Sequence, residues 1–333
     1  MRAKTDLSTL LLEWYQQNGR DLPWRVKGGA HPNPYIIFVS EFMLQQTTVK
    51  TVIPYFYRFI ERFPTVYDLA GANEEEVYQL WQGLGYYTRA RSLHTSAQMV
   101  VNEFAGKFPN NRKDVLRLKG IGEYTVASFL ALAFNQSETV IDGNVMRIMA
   151  RLYHLTAPLD EIAEEIKGKA VALTSHTAPA DYASAIMDLG ATICTPKKPQ
   201  CLLCPWQAYC QSKKSADLEQ IPCRKKMTKK EQISKVYLIY NKKGEILIRK
   251  RTEKGLLSGL YEFPWGDDIK VLKNAKDTGK EITHIFTHIK LTLKIYTIKS
   301  DKSPIEDGIF VAPQDLDKYA LSTLMKKVYA KVA

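Results

Sequence analysis

The sequence lacks an apolar run long enough to cross a membrane, so we expect no membrane-spanning helix. Its first apolar stretch, LSTLLLEWYQQ, is interrupted by Glu13 and therefore predicts an amphipathic helix, not a signal peptide. The sequence also lacks the low hydrophobicity of a disordered chain, because 45% of its residues are hydrophobic and 25% are charged. With 333 residues, the chain is long enough for two globular domains.

Acidic residues are in the minority. The chain has 35 Asp and Glu against 47 Lys and Arg, which gives a formal net charge of +12. A basic surplus suits a phosphate-rich partner and favours nucleic acid. Charge alone leaves two alternatives open, namely a membrane surface or a contribution to solubility.

Cysteines are few and are not distributed evenly, which excludes the pattern of a small secreted disulfide protein. Four of the five lie in one short stretch, ATICTPKKPQCLLCPWQAYC, and we expect them to bind a metal: Cys194, Cys201, Cys204 and Cys210. Four thiolates can hold zinc or an iron–sulfur cluster, and their number and spacing leave both open. Cys223 lies outside this set and is predicted to have no part in it.

A glycine turn interrupts the stretch DVLRLKGIGEYTVASFLALAF. Its apolar spacing predicts a short helix, then a turn that contains Gly120 and Gly122, then a buried helix. Glycines let the backbone approach a phosphate closely, and the following helix N-terminus attracts negative charge. The turn therefore predicts DNA binding, with a purely structural helix–turn–helix as the alternative.

Two carboxylates stand in unusual surroundings. Glu41 lies within the densest apolar run of the chain, YIIFVSEFML, so it is either a capping-box acid or a carboxyl group whose pKa is changed by burial. Asp142 precedes the periodic stretch VMRIMARL, where an N-cap is the simplest interpretation.

These motifs occur in a specific order, and together they closely resemble the adenine DNA glycosylase (MutY) family within the helix–hairpin–helix DNA-repair superfamily. The resemblance extends over residues 6–210 and resumes in the last third; its motifs are LPW, SEFMLQQT, GLGYYTRAR, LKGIGEYT, VIDGNV, MDLGATICT and the spacing of the four cysteines. It implies that the cysteines bind a [4Fe–4S] cluster. It also implies an all-helical catalytic region of two lobes, with the DNA cleft between them.

The resemblance also implies roles for single residues. Glu41 would protonate the adenine, and Asp142 would stabilise or trap the oxocarbenium-like sugar. Such chemistry needs one carboxyl group kept protonated by an apolar pocket and a second one ionised nearby. Asn144 and Tyr124 would orient these two groups.

Two further residues resemble side chains that fill or wedge the base stack when the target base is flipped out, namely Gln46 and Tyr86. Relatives that also cut the DNA strand carry a lysine in the hairpin helix, which forms a Schiff base with the sugar. Here Tyr124 stands in that place. We therefore expect a monofunctional glycosylase that leaves an abasic site.

The last third begins with residues 211–232, which are polar and rich in Lys and Arg and predict a basic linker. The stretches ISKVYLIY and EILIRKR flank NKKG and predict a β-hairpin, while HIFTHIKLTLKIYTI predicts another strand region. The final stretch LSTLMKKVYAKV has a helical pattern. Residues 233–333 resemble the Nudix-like C-terminal domain of the family, although the acidic box of Nudix hydrolases is absent.

The family usually reads 8-oxoguanine with a Phe-Ser-His motif in this domain, and here Phe286, Thr287 and His288 take its place. The extra methyl group of Thr287 can alter the fit to the lesion. The alternative is a half-buried strand with Phe286 in the core.

The expected fold is mainly α: a two-lobed helix–hairpin–helix glycosylase domain (residues 1–210) that includes an iron–sulfur loop, followed by a C-terminal α+β Nudix-like domain. The expected function is removal of adenine mispaired with 8-oxoguanine or G, in base excision repair. The expected partner is duplex DNA, bound by a monomer in the cytoplasm. The alternatives are a thymine or oxidised-pyrimidine glycosylase on the same scaffold, and a DNA-binding protein without catalytic activity.

Overall fold

The computed structural model describes residues 6–26, 32–223, 229–253, 255–266, 274–286 and 288–332. They form two compact units. Unit 1 consists of the described residues within 1–70 and 95–226, and unit 2 of those within 71–94 and 227–333. No helix in the described ranges is both long and apolar enough to cross a membrane.

Unit 1 contains helices as its only regular secondary structure among the described residues. The α-helices of the two units, in chain order, are α1 (Leu7–Asn18), α2 (Pro34–Leu44), α3 (Val49–Arg62), α4 (Val66–Gly71), α5 (Glu74–Trp81), α6 (Thr88–Phe104), α7 (Arg112–Val115), α8 (Glu123–Phe134), α9 (Gly143–Leu152), α10 (Leu159–Leu173), α11 (Pro179–Asp188) and α12 (Thr323–Ala330). A π-helical turn, Leu189–Ile193, continues α11. The predicted helices at the N-terminus, after the glycine turn and after Asp142 are confirmed as α1, α8 and α9.

Local sequence explains where the two central helices of unit 1 begin. Asn33 caps α2, since its side-chain oxygen accepts the backbone N–H of Tyr35 at 2.9 Å, and Pro34 occupies the first turn. Helix α8 is rich in Ala and Leu and is buried on nearly all sides, because it packs against α2 and α11. Helix α8 therefore lies between α2 and α11.

Unit 2 is built on a six-stranded sheet: β1 (Lys230–Tyr240), β2 (Ile246–Lys250), β3 (Tyr261–Glu262), β4 (Lys276–Ile285), β5 (Ile289–Lys299) and β6 (Gly308–Val311). The order is β3-β2-β1-β5-β4, with β6 also paired to β2. The predicted hairpin of β1 and β2 is confirmed as an antiparallel pair, and the predicted C-terminal helix as α12. The main partner of β1, however, is β5, which runs parallel to it over its whole length.

The region 284–298, predicted as one strand region, consists of the end of β4 and most of β5. The two strands are antiparallel neighbours, and residues 286–288 join them. Phe286 and His288 therefore lie at a hairpin connection, while Thr287 lies outside the described residues. Residues 27–31 also lie outside them.

The domain boundaries differ from the expected ones at two places. Residues 71–94 group with unit 2, where the Gln79 and Gln82 side chains donate to the carbonyls of Lys318 and Leu321 at 2.7 and 3.0 Å. The predicted linker is shorter than 211–232: residues 211–223 pack on unit 1 through the buried Ile221, and β1 already begins at Lys230. Both corrections come from long-range contacts that composition does not reveal.

Candidate active site

Glu41 lies inside α2 with only 4% of its surface exposed. Its position in the last turn of the helix rules out a capping-box acid. Burial raises the pKa of this carboxyl group to about 7, and the nearby charge of Asp142 adds to the rise. Ser128 and Arg25 act in the opposite direction. Near neutral pH this group can therefore donate a proton.

Asp142 is the N-cap of α9, as its sequence position suggested. One carboxylate oxygen accepts the backbone N–H groups of Asn144 and Val145 at 2.8 and 2.7 Å, and the other accepts the Asn144 side-chain amide at 2.8 Å. The helix N-terminus stabilises negative charge on this carboxylate. The N-cap geometry does not compete with a catalytic role, since it holds the carboxylate group in one orientation close to Glu41.

Tyr124 lies in the first turn of α8, and its hydroxyl donates to the Met187 sulfur at 3.6 Å. Burial raises the pKa of Tyr124 well above its usual value, and the charges of Glu41 and Asp142 raise it further. The phenol is therefore neutral and close to both carboxyl groups. The structure thus brings together the four residues for which the sequence predicted catalytic roles.

Ser128 is a neighbour of this cluster that the sequence did not indicate. Its side chain is fully buried on α8, and its hydroxyl has no hydrogen-bond partner of full geometry among the described residues. It is nevertheless near enough to lower the pKa of both Glu41 and Tyr124. An interior hydroxyl in this position favours the ionised form of Glu41.

A cavity of about 270 Å³ begins at two residues of this cluster, Glu41 and Tyr124. It lies among α2, α8, α11 and the segment after α1, and its lining includes Glu41, Tyr124, Arg25, Trp24, Met187, Ser184, Ala180 and Asn135. A concave, mostly apolar cavity with a few polar groups is the usual form of a small-molecule or base-binding site.

An ion pair fixes one wall of this cavity. The Arg25 guanidinium donates to both carboxylate oxygens of Asp188, at 2.8 and 2.9 Å, and the Arg20 side chain donates to the same carboxylate at 2.7 Å. Burial alone would raise the pKa of Asp188, but the two arginines outweigh it and lower the pKa. Sequence inspection did not assign Arg25 or Asp188 a role, although each adjoins or lies in a motif of the resemblance, LPW and MDLGATICT.

A chain of hydrogen bonds leads from Asp142 to the cysteine loop. Asn144, which donates to Asp142, accepts from the buried Arg147 at 2.9 Å. Arg147 in turn donates to the carbonyls of Gly190 and Cys194 at 2.7 and 2.8 Å. The candidate catalytic carboxylate is thus connected to the first of the four cysteines through only two side chains.

The predicted DNA-binding turn precedes α8. Gly120 has a φ of +76°, a conformation that L residues rarely adopt, and Gly122 is the N-cap of α8 with no side-chain cap. The first N–H groups of α8 are therefore available to a phosphate oxygen. Gln46 follows α2 in a left-handed conformation and is exposed.

The four predicted metal-binding cysteines are half-buried and line one cavity. Among the described residues, no three His, Cys, Asp or Glu side chains are placed to hold one metal ion. The four thiols thus surround a common space. Arg151, buried beside them, approaches the Cys194 sulfur at 3.6 Å, and Cys223 is exposed elsewhere.

Unit 2 contains a separate cavity of about 500 Å³. Its lining includes Tyr86, Ser258, Phe286 and His288. Tyr86 is 49% exposed and has a left-handed backbone, whereas Phe286 is half-buried and its ring contacts His284 with centroids 4.6 Å apart. One predicted wedge residue and two predicted lesion-reading residues thus line the same cavity.

Three family models match this chain. Residues 39–172 match the HhH-GPD superfamily of base excision DNA repair proteins, residues 194–210 match the iron–sulfur binding domain of endonuclease III, and residues 235–331 match the NUDIX domain. The match over residues 194–210 assigns the four cysteines to an iron–sulfur cluster.

Among curated relatives, the adenine DNA glycosylase of Homo sapiens is 31% identical over 96% of this chain and 72% of its own length. That of Buchnera aphidicola subsp. Baizongia pistaciae is 38% identical over 76% of this chain and 72% of its own. Among solved structures, a thermostable thymine-DNA glycosylase matches with a TM-score of 0.55 and 27% identity, over 62% of this chain and 94% of that one.

Proposed function

The chain belongs to the adenine DNA glycosylase family of base excision repair proteins, and from this premise we propose that it excises adenine mispaired with 8-oxoguanine, or with G, from duplex DNA. The observation that carries the proposal is the pairing of a buried Glu41, whose pKa is about 7, with the capped carboxylate of Asp142. The resident cofactor is a [4Fe–4S] cluster on the four cysteines.

The target adenine would leave the base stack and enter the cavity beside Glu41. Glu41 then donates its proton to the adenine ring. The C–N glycosidic bond breaks at the same time, and the electron pair of that bond moves onto the base. General acid assistance of this kind contributes about 10²–10⁴-fold. The neutral phenol of Tyr124 and the Ser128 hydroxyl lie beside the carboxyl group, and the hydroxyl lowers the pKa of Glu41.

The sugar that remains is an oxocarbenium-like cation, and Asp142 would stabilise or trap it. Asn144 holds the Asp142 carboxylate by its side-chain amide, at 2.8 Å, so that the carboxylate cannot turn away. Water finally adds to the sugar carbon, its released proton goes to the Glu41 carboxylate, and an abasic site remains.

The proposed activity is monofunctional. A glycosylase that also cuts the strand needs an amine that forms a Schiff base with the sugar. Among the described residues that line the cavity there is no lysine, and the tyrosine of the hairpin helix takes the place that a lysine has in such relatives. The abasic strand should therefore stay intact until it is treated with alkali.

When bound, the [4Fe–4S] cluster holds the loop of residues 194–210 in one shape. The chain's own contribution is an arginine pair on α9. Arg151 donates to the carbonyls of Thr195 and Pro196 at 2.6 and 2.9 Å, and Arg147 extends from the loop to Asn144. The position of Asp142 thus depends on an ordered loop.

We assign recognition of the base opposite the adenine to the cavity of unit 2. 8-Oxoguanine differs from guanine by an added carbonyl and a proton on N7. A hydroxyl oxygen can accept a hydrogen bond from this N7–H, whereas N7 of guanine has no proton to donate. Thr287, which lies outside the described residues, would supply this hydroxyl between Phe286 and His288. Tyr86, a predicted wedge residue, also lines this cavity, which supports the assignment of lesion recognition to it.

The alternative of a thymine glycosylase rests on the resemblance to a solved thymine-DNA glycosylase. That resemblance covers 62% of the chain, whereas the human adenine DNA glycosylase matches over 96% of it. A buried acid that protonates the leaving base also suits adenine, whose ring nitrogens accept a proton. The structure therefore favours adenine over thymine and over a protein that only binds DNA.

Single-turnover assays on three duplexes test the proposal, with A opposite 8-oxoguanine, A opposite G, and T opposite G, each followed by alkali. We expect cleavage of the two adenine strands only after alkali. Asp142→Asn should remove excision while α9 stays folded, because Asn is as good an N-cap as Asp but carries no charge. Excision of T, or no excision from any duplex, would contradict the proposal. Retained turnover in Asp142→Asn would reduce Asp142 to a helix cap.

A further inference from the structure

The active-site cavity extends well beyond the candidate catalytic residues. Helices α8 and α11 run antiparallel, since Tyr124 meets Met187 at one end and the Asn135 side chain accepts the Ala180 N–H at 3.1 Å at the other. All four residues line the same cavity. At 1.5 Å per residue, Tyr124 and Asn135 are about 16 Å apart along α8. The cavity is therefore longer than a purine base.

The residues of α2 that line the cavity also show that it is long. Leu44, at its C-terminal end, and Ile37, two turns earlier, both line the cavity, and Glu41 lies between them. Gln45 follows Leu44 and donates to Thr125 in the first turn of α8 at 3.3 Å. The C-terminal end of α2 thus lies at the same end as the glycine turn. We call this end, where DNA is expected, the front, and the end at Asn135 the rear.

The rear end reaches solvent. Three of its lining residues are exposed, namely Asn135, Thr177 and Asp181. Between them and Glu41, the cavity face of α11 carries the small side chains of Ala180 and Ser184. Small residues one helical turn apart leave open space beside a helix. The rear part is therefore a passage from Glu41 to the surface, lined by side chains that can exchange hydrogen bonds with a purine edge.

The front, in contrast, is the side from which a flipped base must enter. As long as abasic DNA remains bound there, the free base has no way back past the strand. We propose that released adenine leaves through the rear passage while the abasic DNA is still bound at the front. The passage is thus an exit for a free purine base, and its assignment rests on the proposed function.

The test separates chemistry from the release of each product. Enzyme in excess reacts with a duplex that carries labelled adenine opposite 8-oxoguanine. Alkali-labile strand measures excision, and rapid ultrafiltration without denaturant separates free adenine from adenine held in the protein–DNA complex. In the unmodified protein, adenine should appear in the filtrate as fast as the alkali-labile strand forms, while the DNA is retained.

Two variants narrow the solvent end of the rear passage, Thr177→Trp and Ala178→Trp, since both residues line the cavity there, and Thr177→Ser is the matched control of small size. In the Trp variants, the excision rate should stay within about twofold of that of the unmodified protein. Adenine release should slow by at least ~10-fold and should then follow DNA dissociation, since the release of a product can limit turnover. The Ser variant should behave like the unmodified protein. Iron content and melting temperature verify that all variants are folded.

Three results would contradict the proposal that adenine leaves through the rear passage. The unmodified protein could hold adenine until DNA dissociates, the folded Trp variants could release adenine at the original rate, or both folded Trp variants could lose excision, which would make the rear part of the base site. Absence of any alkali-labile strand in the unmodified protein would instead overturn the proposed function.

Discussion

Gly190 packs directly against Asn144. A methyl group in place of the Gly190 hydrogen would approach the Asn144 Cβ to 2.6 Å and its Cγ to 3.2 Å. Real Cβ atoms do not come this close to their neighbours, and the contact is with the inner atoms of a side chain held by two hydrogen bonds. The position of Asn144, and with it that of Asp142, therefore depends on a glycine in the π-helical turn.

We expect Gly190→Ala to lower the single-turnover excision rate at least ~10-fold, because a misplaced carboxylate stabilises the sugar cation less well. Gly168→Ala in α10 is the matched control, since a Cβ there meets nothing within 4 Å. The control should retain its rate and gain about 0.5–1 kcal/mol in free energy of unfolding. Equal excision rates in Gly190→Ala and Gly168→Ala would show that the position of Asn144 does not affect catalysis.

Glu41→Gln should lose excision, because it removes the proton donor with little change in volume. DNA binding, measured by titration of the A:8-oxoguanine duplex, should persist. The folded protein raises the pKa of Glu41 from 4.5 to about 7, so the stability contributed by its proton is complete below about 4.5 and is lost as pH rises through about 7. Above pH 7 the variant should therefore be more stable than the unmodified protein by about 3 kcal/mol in free energy of unfolding. Excision at the original rate would exclude Glu41 as the acid.

Ser128→Ala should move the alkaline limb of the excision pH profile to higher pH. The hydroxyl lowers the pKa of Glu41, so its removal leaves the carboxyl group protonated over a wider range. Ser40→Ala is the control, since Ser40 is also buried beside Glu41 but donates to the Ile37 carbonyl at 2.8 Å. A shift toward lower pH, or the same shift in both variants, would contradict the assignment of Ser128.

Cys201→Ser should lose iron and DNA affinity together, whereas Cys223→Ser should keep both. Cys201 lines the common cavity of the four thiols, and Cys223 is exposed outside it. Metal analysis of the unmodified protein should find about four iron atoms per chain, as a four-cysteine cubane requires. Stoichiometric zinc in protein prepared anaerobically with ample iron would contradict the iron–sulfur assignment.

The double variant Thr287→Ala, His288→Ala should reduce the preference for 8-oxoguanine over G by about 5–100-fold, the scale of one discriminating contact. The measurement is the ratio of dissociation constants for product-like duplexes that contain either base. His176→Ala on unit 1 is the control and should leave the ratio unchanged. An unchanged ratio in the folded double variant would place lesion recognition elsewhere.

The sequence by itself determined the features that depend on neighbours in the chain. Periodicity predicted α8 and α9, the turn residues predicted the hairpin of β1 and β2, and the spacing of the cysteines predicted a metal loop. The order of the motifs then indicated the family and the two carboxylates. The periodicity, the turn residues and the cysteine spacing each lie within a few residues of the feature that they predict, whereas the motif order extends over residues 6–210.

Only the tertiary structure decided what depends on distant residues. Arg25 meets Asp188 across 163 positions of the chain, and β1 pairs in parallel with β5, to which no local signal points. The pKa of Glu41 is set by the helices that bury it and by Asp142, which follows 101 positions later in the sequence. Local patterns specify helices, turns and ligand spacing, whereas packing alone brings separate segments to one site and excludes water from it, and the exclusion of water makes an ordinary glutamate a proton donor at neutral pH.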